Sequence, residues 1–519
     1  MVGPVSAGEG PRRGAVTRGA DLDGRLDLTC DAVVVGLGAG GSIAARELAR
    51  AGLDVVALEE GGHHGPADFN QREEQMFPLL FQDGGGRTTK DLAIRVLQGR
   101  GVGGSTVHNT NLCKRTPEPI LDLWARRYGV SGASARDLAP SFEAIERDLG
   151  VAPIDPALVN PNNDALRRGA GALGWKWAVL SHNRKGCQLS GFCELGCAYD
   201  AKQNALKVVV PQALAAGARV IAGARVHRVT YLAGRATGVE GALAGRDGEP
   251  GPALRVRAKV VVLAASATGS AAIARRSGLP DPHFQLGKGL RLHPGAVCAG
   301  LFDAPIDGHH GIPQSVECTE MLDWEEGSDK RTWIVPAFAH PIGTASTLPG
   351  FGAAHMRAMR SYGHLAVLTA MLHDESSGEV SDDGGRPVLD YRMNEADRAG
   401  LARGLVACAR ILFAAGARSV TIPAIPPVTL ASAKELDGLD TRFVRPHGVP
   451  LSAVHPMGTM RMGDDPRRAV VSSQGEHHQV KGLFVADGSV FPTSLGGPPQ
   501  ISIYAFALHL APHAIAAAR

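Results

Sequence analysis

The sequence of 519 residues contains few aromatic side chains, few cysteines and no large excess of either charge. Aromatic residues make up 5% of the chain, and 54 Lys and Arg stand against 51 Asp and Glu. A nucleic-acid partner would require basic runs that neutralise phosphates, and the sequence has none. No stretch reaches the roughly 18 consecutive apolar residues of a transmembrane helix. We therefore expect a globular protein without a nucleic-acid partner, built as two to four domains or as one large enzyme.

The two ends of the chain bear on its location. Residues 1–28 are polar, rich in Gly, Ala and Arg, and lack periodicity, so we interpret them as a flexible tail. Arg12 and Arg13 are not followed by the apolar segment of an export signal, which favours a cytoplasmic protein. Residues 501–518 read as a buried packing helix, with contact at a membrane surface as the minority interpretation.

Three of the eight cysteines cluster in the sequence, and the other five are scattered, as suits a reducing compartment. Cys187, Cys193 and Cys197 are separated by five and three residues. Zinc and iron–sulfur sites are typically built on Cys-x-x-Cys pairs with a fourth ligand, so this spacing disfavours a metal. We expect no metal here and a tight structural loop, with one disulfide as an option.

Glycine, by contrast, is abundant, with 66 residues and no collagen period or Gly/Ser tract. Such usage indicates many tight turns and close backbone approaches. The clearest example follows Ala32–Val35, an apolar run typical of a buried parallel strand. Gly36, Gly38 and Gly41 come next, and a helical apolar face leads to a second strand that ends at Glu59.

This spacing predicts a dinucleotide site. Gly36 permits the tight turn, Gly38 lets the backbone approach a pyrophosphate, and Gly41 lets the helix pack on the strand. Glu59 is placed to accept a hydrogen bond from a ribose hydroxyl. The alternative is an ordinary glycine-rich turn between a strand and a helix.

Two further segments favour a cofactor with a large ring system. Residues 99–109 combine glycines with a small hydroxyl residue and contain no long apolar side chain. Near the other end of the chain, residues 482–489 deliver an Asp from an apolar strand into a Gly-Ser turn. The cofactor-binding candidates in these two segments are Gly103, Gly104, Ser105, Asn109, Asp487 and Gly488.

With these segments in place, the chain resembles the glucose–methanol–choline (GMC) flavoprotein oxidoreductases. The matching segments lie in family order at 36–41, 101–109, 455–463 and 482–492. The resemblance implies bound FAD and an α/β fold. Taken over the whole chain, the fold class is α+β. It also implies a Rossmann-like FAD-binding domain and a discontinuous substrate and cap domain, built on a β-sheet with helices.

The resemblance also suggests how the chain is divided. We assign residues 29–115, 181–299 and 446–519 to FAD binding, and residues 116–180 and 300–445 to the substrate and cap domain. Residues 218–229 read as paired strands, and the family contacts the adenine end of FAD near Val226. Residues 259–265 read as a buried strand followed by a helix that ends near Gly278.

Details at 193–203, 287–294 and 302–313 resemble the long-chain (fatty) alcohol oxidase branch. This similarity implies oxidation of a hydrophobic alcohol, long-chain or sterol-like, to an aldehyde or ketone. Oxygen or an external acceptor would then take the electrons. His455 occupies the position of the family's catalytic histidine, so it is the candidate general base while flavin N5 takes the hydride.

One position departs from the family pattern. Pro498 stands where many relatives carry an Asn or His side chain, and proline offers no N–H. The hydrogen bond to the alkoxide is then either absent or supplied from elsewhere. Gln500 and His108 are candidate donors, although for both the favoured interpretation is a turn residue with no catalytic part. The departure leaves open a non-oxidative lyase or photoenzyme of the same fold. It also leaves open a dehydrogenase subunit that passes electrons to a partner protein.

Overall fold

The computed structural model describes residues 11–245, 250–325, 327–338 and 340–519, which form two large β-sheets with associated helices. In chain order, the strands are β1 (Val16–Arg18), β2 (Leu26–Val35), β3 (Val55–Glu59), β4 (Ile94–Val96), β5 (Val151–Pro153), β6 (Trp177–Val179), β7 (Ser181–Asn183), β8 (Arg219–Ala222), β9 (Ala224–Leu232), β10 (Arg235–Ala244), β11 (Pro250–Leu263), β12 (Lys288–Leu290), β13 (Gly295–Leu301), β14 (Val316–Cys318), β15 (Thr332–Pro336), β16 (Leu365–Leu372), β17 (Gly378–Asp383), β18 (Arg386–Asp390), β19 (Ser419–Ile422), β20 (Val428–Leu430), β21 (Leu451–Ala453) and β22 (Leu483–Val485). The α-helices are α1 (Ala39–Arg50), α2 (Glu73–Leu80), α3 (Glu118–Leu123), α4 (Ala135–Asp148), α5 (Pro161–Ala172), α6 (Val210–Ala215), α7 (Ser266–Arg276), α8 (Pro341–Thr347), α9 (Ala353–Arg360), α10 (Glu395–Ala414) and α11 (Gln500–Ala518).

The first sheet has the order β1-β8-β3-β2-β11-β10-β9, and β22 also pairs with β11. Its pairs from β1 to β11 and the β11–β22 pair are parallel, whereas β10 and β9 form an antiparallel extension. Residues 32–35 are at most 4% exposed, as expected for a parallel strand that is covered on both faces. Helix α1 packs on β2 and β3 and contacts α6 and α11. The Rossmann-like half of the predicted fold is therefore confirmed.

The second sheet has the order β20-β19-β13-β16-β15-β14-β6, with β21 and β4 attached beside β13. The strands along its main path are antiparallel, and helices α5 and α10 pack on it. Side chains alternate between the two faces of a strand. In β16, Leu368 and Ala370 are fully buried, whereas Val367, Thr369 and Met371 face a cavity. The sheet thus presents one face to its helices and the other to the cavity.

The sequence prediction of a flexible amino-terminal tail is wrong for the described part of that segment. Val16 and Thr17 are buried, and β1 adds to the first sheet by pairing with β8 in register Val16–Val220. A strand of three residues is too short to show periodicity, so composition misled the interpretation. Residues 1–10 lie outside the described residues.

Two other expectations differ in detail. Residues 218–229 do form two strands, but β8 pairs with β1 and β3, while β9 pairs with β10. The second sheet also takes β13 from residue 295, and it includes β4 and β21 from segments that we assigned to FAD binding. Strand pairing over such sequence distances is a tertiary property that local patterns do not specify.

The carboxy-terminal helix α11 packs against α1 and α4. Among the described residues it is the one helix with the length and apolar character needed to cross a membrane, yet 56% of it is buried inside the protein. That burial agrees with the interpretation of a packing helix.

Candidate active site

A cavity of about 1050 Å³ lies between the turn after β2 and the open face of the second sheet. It brings together most of the site residues that the sequence suggested. Those that line it are Gly36, Gly38, Glu59, Gly104, Ser105, Asn109, Val226, His455, Asp487 and Gly488. Gly41 and Gly103 lie outside the lining and serve packing, since a Cβ at either would overlap neighbouring atoms.

The glycine turn at the start of α1 combines tight packing with one open position. Gly36 has φ +93°, and a Cβ there would lie 2.4 Å from the carbonyl oxygen of Ala264. At Gly38, by contrast, a Cβ would meet only the Cα of Gly104, at 3.9 Å. Helix α1 starts at the next residue, so its unpaired N–H groups and positive dipole end lie beside open space. This arrangement fits a pyrophosphate.

Glu59 ends β3 at the cavity, but backbone N–H groups already occupy both of its carboxylate oxygens. Its Oε2 accepts from the N–H of Leu37 at 3.0 Å, and its Oε1 accepts from Gly61 and Gly101, each at 3.0 Å. Burial raises the pKa of Glu59 to about 7, aided by the neighbouring charge of Glu60 and opposed by the three N–H donors. Glu59 thus joins three chain segments, and a contact with ribose stays a prediction.

The loop of residues 99–109 is held from behind by a buried lysine that the sequence analysis did not single out. Lys202 is 2% exposed, and its Nζ donates to the carbonyl oxygens of Val107, Asn109 and Cys193. Burial lowers the pKa of Lys202 to about 8. In the sequence, Lys202 stands out only by its place beside the cysteine cluster and within the segment 193–203 that resembles the family branch. The three clustered cysteines are free thiols, so the optional disulfide is absent.

His108 lines the cavity with an unsatisfied nitrogen. Its ring packs against Phe81 with 3.9 Å between centroids, and its Nε2 has no hydrogen-bond partner within the described ranges. Burial, followed by the charge of Lys202, lowers the pKa of His108 to about 3, so the ring is neutral. A polar atom left without a partner here fits a cavity that receives a polar molecule.

Asp487 sits at the end of β22, where the apolar strand turns toward the cavity. Its Oδ2 accepts from the Ser270 hydroxyl at 2.5 Å, and its Oδ1 accepts from the Ser489 N–H at 2.8 Å. Burial raises the pKa of Asp487 against these hydrogen bonds. The contacts fix the turn that presents Gly488 to the cavity. Val226, on β9, also lines the cavity and is 5% exposed.

His455 follows β21 and lines the same cavity. Its Nδ1 lies 2.9 Å from the Nδ1 of His293, so Nε2 is the ring nitrogen left for the cavity. Burial lowers the pKa of His455 to about 3, and the ring is therefore a neutral imidazole. His293 lies in the segment 287–294 that resembles the family, but no local pattern in the sequence places it beside His455.

The structure excludes Gln500 as a free donor near Pro498. The Gln500 Nε2 donates to the carbonyl oxygen of Leu112 at 2.6 Å, and its Oε1 accepts from the Asn109 side chain at 2.8 Å. Gln500 thereby braces the loop that carries Asn109, while Pro498 itself lines the cavity. Both ends of the Gln500 amide are used, so it does not replace the missing Asn or His.

The cavity wall built by the second sheet is mostly apolar. Its apolar members are Val297, Ala299, Trp333, Leu365, Val367 and Met371. Phe338 and His340 extend this wall, and Glu194 lies 3.9 Å from His340. Burial raises the pKa of Glu194 to about 7.

Comparison with known proteins gives one consistent result. Two models of the GMC oxidoreductase family match residues 77–295 and 374–507. An uncharacterized GMC-type oxidoreductase of Mycobacterium tuberculosis is 37% identical over 492 residues, covering 94% of this chain and 76% of the relative. Long-chain-alcohol oxidase FAO1 of Arabidopsis thaliana is 27% identical over 503 residues, covering 92% and 65%.

The solved structures agree on the fold. Pyridoxine 4-oxidase from Mesorbium loti superposes with a TM-score of 0.71 at 21% identity, covering 93% of this chain and 99% of that one. Formate oxidase gives a TM-score of 0.71 at 15% identity, covering 94% and 98%, and the same values hold for a variant from Aspergillus oryzae.

Proposed function

The chain belongs to the GMC oxidoreductase family and is an FAD-dependent enzyme, and we propose that it oxidises the CH–OH group of a hydrophobic alcohol. The proposed substrate is long-chain or sterol-like, and the product is an aldehyde or ketone. The observation that carries this choice is the apolar wall of the second sheet, which lines the same cavity as His455. The similarity to Arabidopsis long-chain-alcohol oxidases gives independent support.

The residues present fit FAD. Gly38 and the start of α1 would hold its diphosphate, while Glu59 and Val226 line the part of the cavity we assign to its nucleoside. Asp487 and Gly488, which follow β22 at the same carboxyl edge of the sheet, would contact its chain. When bound, FAD supplies the acceptor for the hydride that leaves the alcohol carbon.

His455 is proposed to take the hydroxyl proton at Nε2. The neutral ring offers a lone pair there because Nδ1 is engaged with His293. Burial disfavours the imidazolium, so proton transfer to His455 should accompany loss of the hydride rather than precede it. The apolar side chains of the wall would exclude water and hold the alkyl part of the substrate.

The first experiment is anaerobic mixing of the purified flavoprotein with primary alcohols from butanol to hexadecanol, and with a sterol. We expect bleaching of the flavin spectrum with a rate that rises with apolar size. Bleaching only by small or polyhydroxylated alcohols would contradict the substrate class. Product formed without bleaching would instead favour the non-oxidative alternative.

Variants of the cavity wall sharpen this test. Val297→Trp fills the cavity from β13 and should slow hexadecanol more than butanol. Val428→Trp is the matched control, since Val428 lies in the same sheet but outside the lining. Equal effects of the two variants on long and short alcohols would remove the second sheet from the substrate site. Oxygen uptake compared with dye reduction then identifies the acceptor.

A further inference from the structure

We propose that His293 is a positioning residue for His455. It accepts the hydrogen on His455 Nδ1 and thereby keeps the Nε2 lone pair directed at the cavity. This inference rests on the proposed function, because it assumes that His455 Nε2 takes the alcohol proton. In this proposal His293 touches neither substrate nor cofactor. Its role is to fix the tautomer of the base, His455.

The contact between the two rings requires that one Nδ1 carry a hydrogen and the other carry none. The two Nδ1 atoms lie 2.9 Å apart, and the ring centroids are 5.1 Å apart at an interplanar angle of 37°. Each neutral imidazole carries one hydrogen, on Nδ1 or on Nε2. A bond at this distance requires a hydrogen on one Nδ1 and a lone pair on the other. The tautomers of His293 and His455 are therefore coupled.

The backbone around His293 is built to hold its ring in place. His293 has φ +57°, a left-handed conformation that is uncommon for a residue other than glycine. The Asp374 carboxylate clamps this point, accepting from the N–H groups of Leu292 at 3.0 Å and His293 at 3.3 Å. The Tyr391 hydroxyl donates to the same carboxylate at 2.8 Å. His293 is 0% exposed, so the protein encloses its ring beside His455.

No competing contact fixes the tautomer of His293. Its Nε2 is buried and has no hydrogen-bond partner in the described part of the chain. No contact in the described residues therefore prevents His293 from carrying its hydrogen on Nε2 and accepting at Nδ1. If His293 donated instead, the hydrogen of His455 would sit on Nε2 and block proton abstraction.

The same contact serves the reaction as it proceeds. The alcohol O–H bond breaks and an N–H bond forms at His455 Nε2, which places a positive charge on that ring. The hydrogen on His455 Nδ1 then faces the lone pair of His293 Nδ1, and this hydrogen bond stabilises the imidazolium. His455 thus acts as the base and His293 as the group that orients it, as in other enzymes where a third group orients a catalytic histidine.

The decisive variants replace His293 with residues that accept a left-handed backbone. Asn tolerates that conformation and places its Oδ1 where the histidine Nδ1 was, whereas Gly tolerates it but offers no acceptor. We expect His293→Gly to lower the rate constant for flavin reduction at saturating alcohol about 10-fold or more, short of the 10²–10⁴-fold loss typical of a removed base. KM should change little, and His293→Asn should recover most of the rate.

A matched control separates positioning from simple damage to the core. His477 is also buried, and its Nε2 has no hydrogen-bond partner among the residues that the structure describes, but it does not line the cavity. His477→Asn should leave the rate unchanged. If His293→Gly retains full rate while His455→Ala is slow, the role of His293 is overturned and the proposed function stands. If His455→Ala retains full rate, the proposed base itself is wrong.

A second measurement reads the tautomer in the wild-type protein and does not require any His293 variant to fold. Nitrogen-15 NMR of the histidine-labelled wild-type protein reports which ring nitrogen of His455 is protonated, with His455→Ala used for assignment. A hydrogen on Nδ1 supports the proposal. A hydrogen on Nε2 overturns it.

Discussion

The Oε1 atom of Glu59 lies 3.0 Å from the backbone nitrogen of Gly101, and this hydrogen bond joins the end of β3 to the loop that lines the cavity. The same carboxylate holds Leu37 in the turn before α1. Three segments that would surround a cofactor are therefore tied to one side chain. Its replacement should disturb the site even without a direct contact to a nucleotide.

We expect Glu59→Gln to destabilise the protein by about 1–3 kcal/mol at pH 5, because an amide NH₂ would face a backbone donor and leave it unsatisfied. The folded pKa of Glu59 is about 7, above its ordinary value of 4.5. A raised carboxyl pKa gives stability that is present below pH 4.5 and is lost as the pH rises through 7. The advantage of wild type over the variant should therefore shrink between these values. Urea unfolding of both proteins at pH 5 and pH 8 measures it, and a constant difference would contradict the pKa.

Gly38→Ala tests the cofactor cradle. The new methyl group meets only Gly104 Cα at 3.9 Å, so the fold should tolerate it, but it would project into the space assigned to the pyrophosphate. We expect a nearly unchanged melting temperature for the flavin-free protein and at least 10-fold weaker FAD binding, equivalent to about 1.4 kcal/mol. Gly65→Ala, in open space outside the cavity lining, is the control. Equal FAD affinity in both variants would place the diphosphate elsewhere.

The pH dependence of the reaction tests the state of His455. Because burial holds its pKa near 3, the neutral base should persist at pH 5, and its protonation should not slow flavin reduction between pH 8 and pH 5. A histidine with the ordinary pKa of about 6.5 would lose about 30-fold in its neutral fraction over that range. Stopped-flow reduction across this range measures the rate. A drop with a midpoint near pH 6.5 would show that the ring is far less buried in the working enzyme.

Gln500→Leu should act on stability first. It removes the hydrogen bonds to Leu112 and Asn109 and leaves both partners without a replacement, at an expected loss of about 2–3 kcal/mol. Chemical denaturation of the variant measures this loss. A variant of wild-type stability that has lost flavin reduction would instead assign Gln500 to the chemistry.

The sequence predicted the parts of this fold that depend on local patterns. The turn at Gly36, the strand before it and the helix after it follow from spacing alone, and the structure reproduces them. The family motifs placed His455 and Asp487, which the fold brings to the same cavity. Local residue spacing and the order of the family motifs were sufficient to predict where these residues lie.

The sequence did not predict contacts between residues that are far apart along the chain. His293 is 162 residues from His455, and no local signal pairs them. Lys202 donates to two carbonyl oxygens of a distant loop, at Val107 and Asn109, and to a third at nearby Cys193. Glu59 carries the expected residue type in the expected place, yet the N–H groups that occupy it come from separate turns.

The pairing of β1 with β8 has a practical consequence for handling this protein. If residues before 29 were removed as dispensable, the backbone donors and acceptors of Val220–Ala222 that face β1 would lose their partner, while β8 would keep its pairing with β3. An uncovered parallel edge of that kind is a template for strands of other molecules. Shortened versions should therefore aggregate through this edge, and Val16–Arg18 acts as a protective cover as much as a part of the sheet.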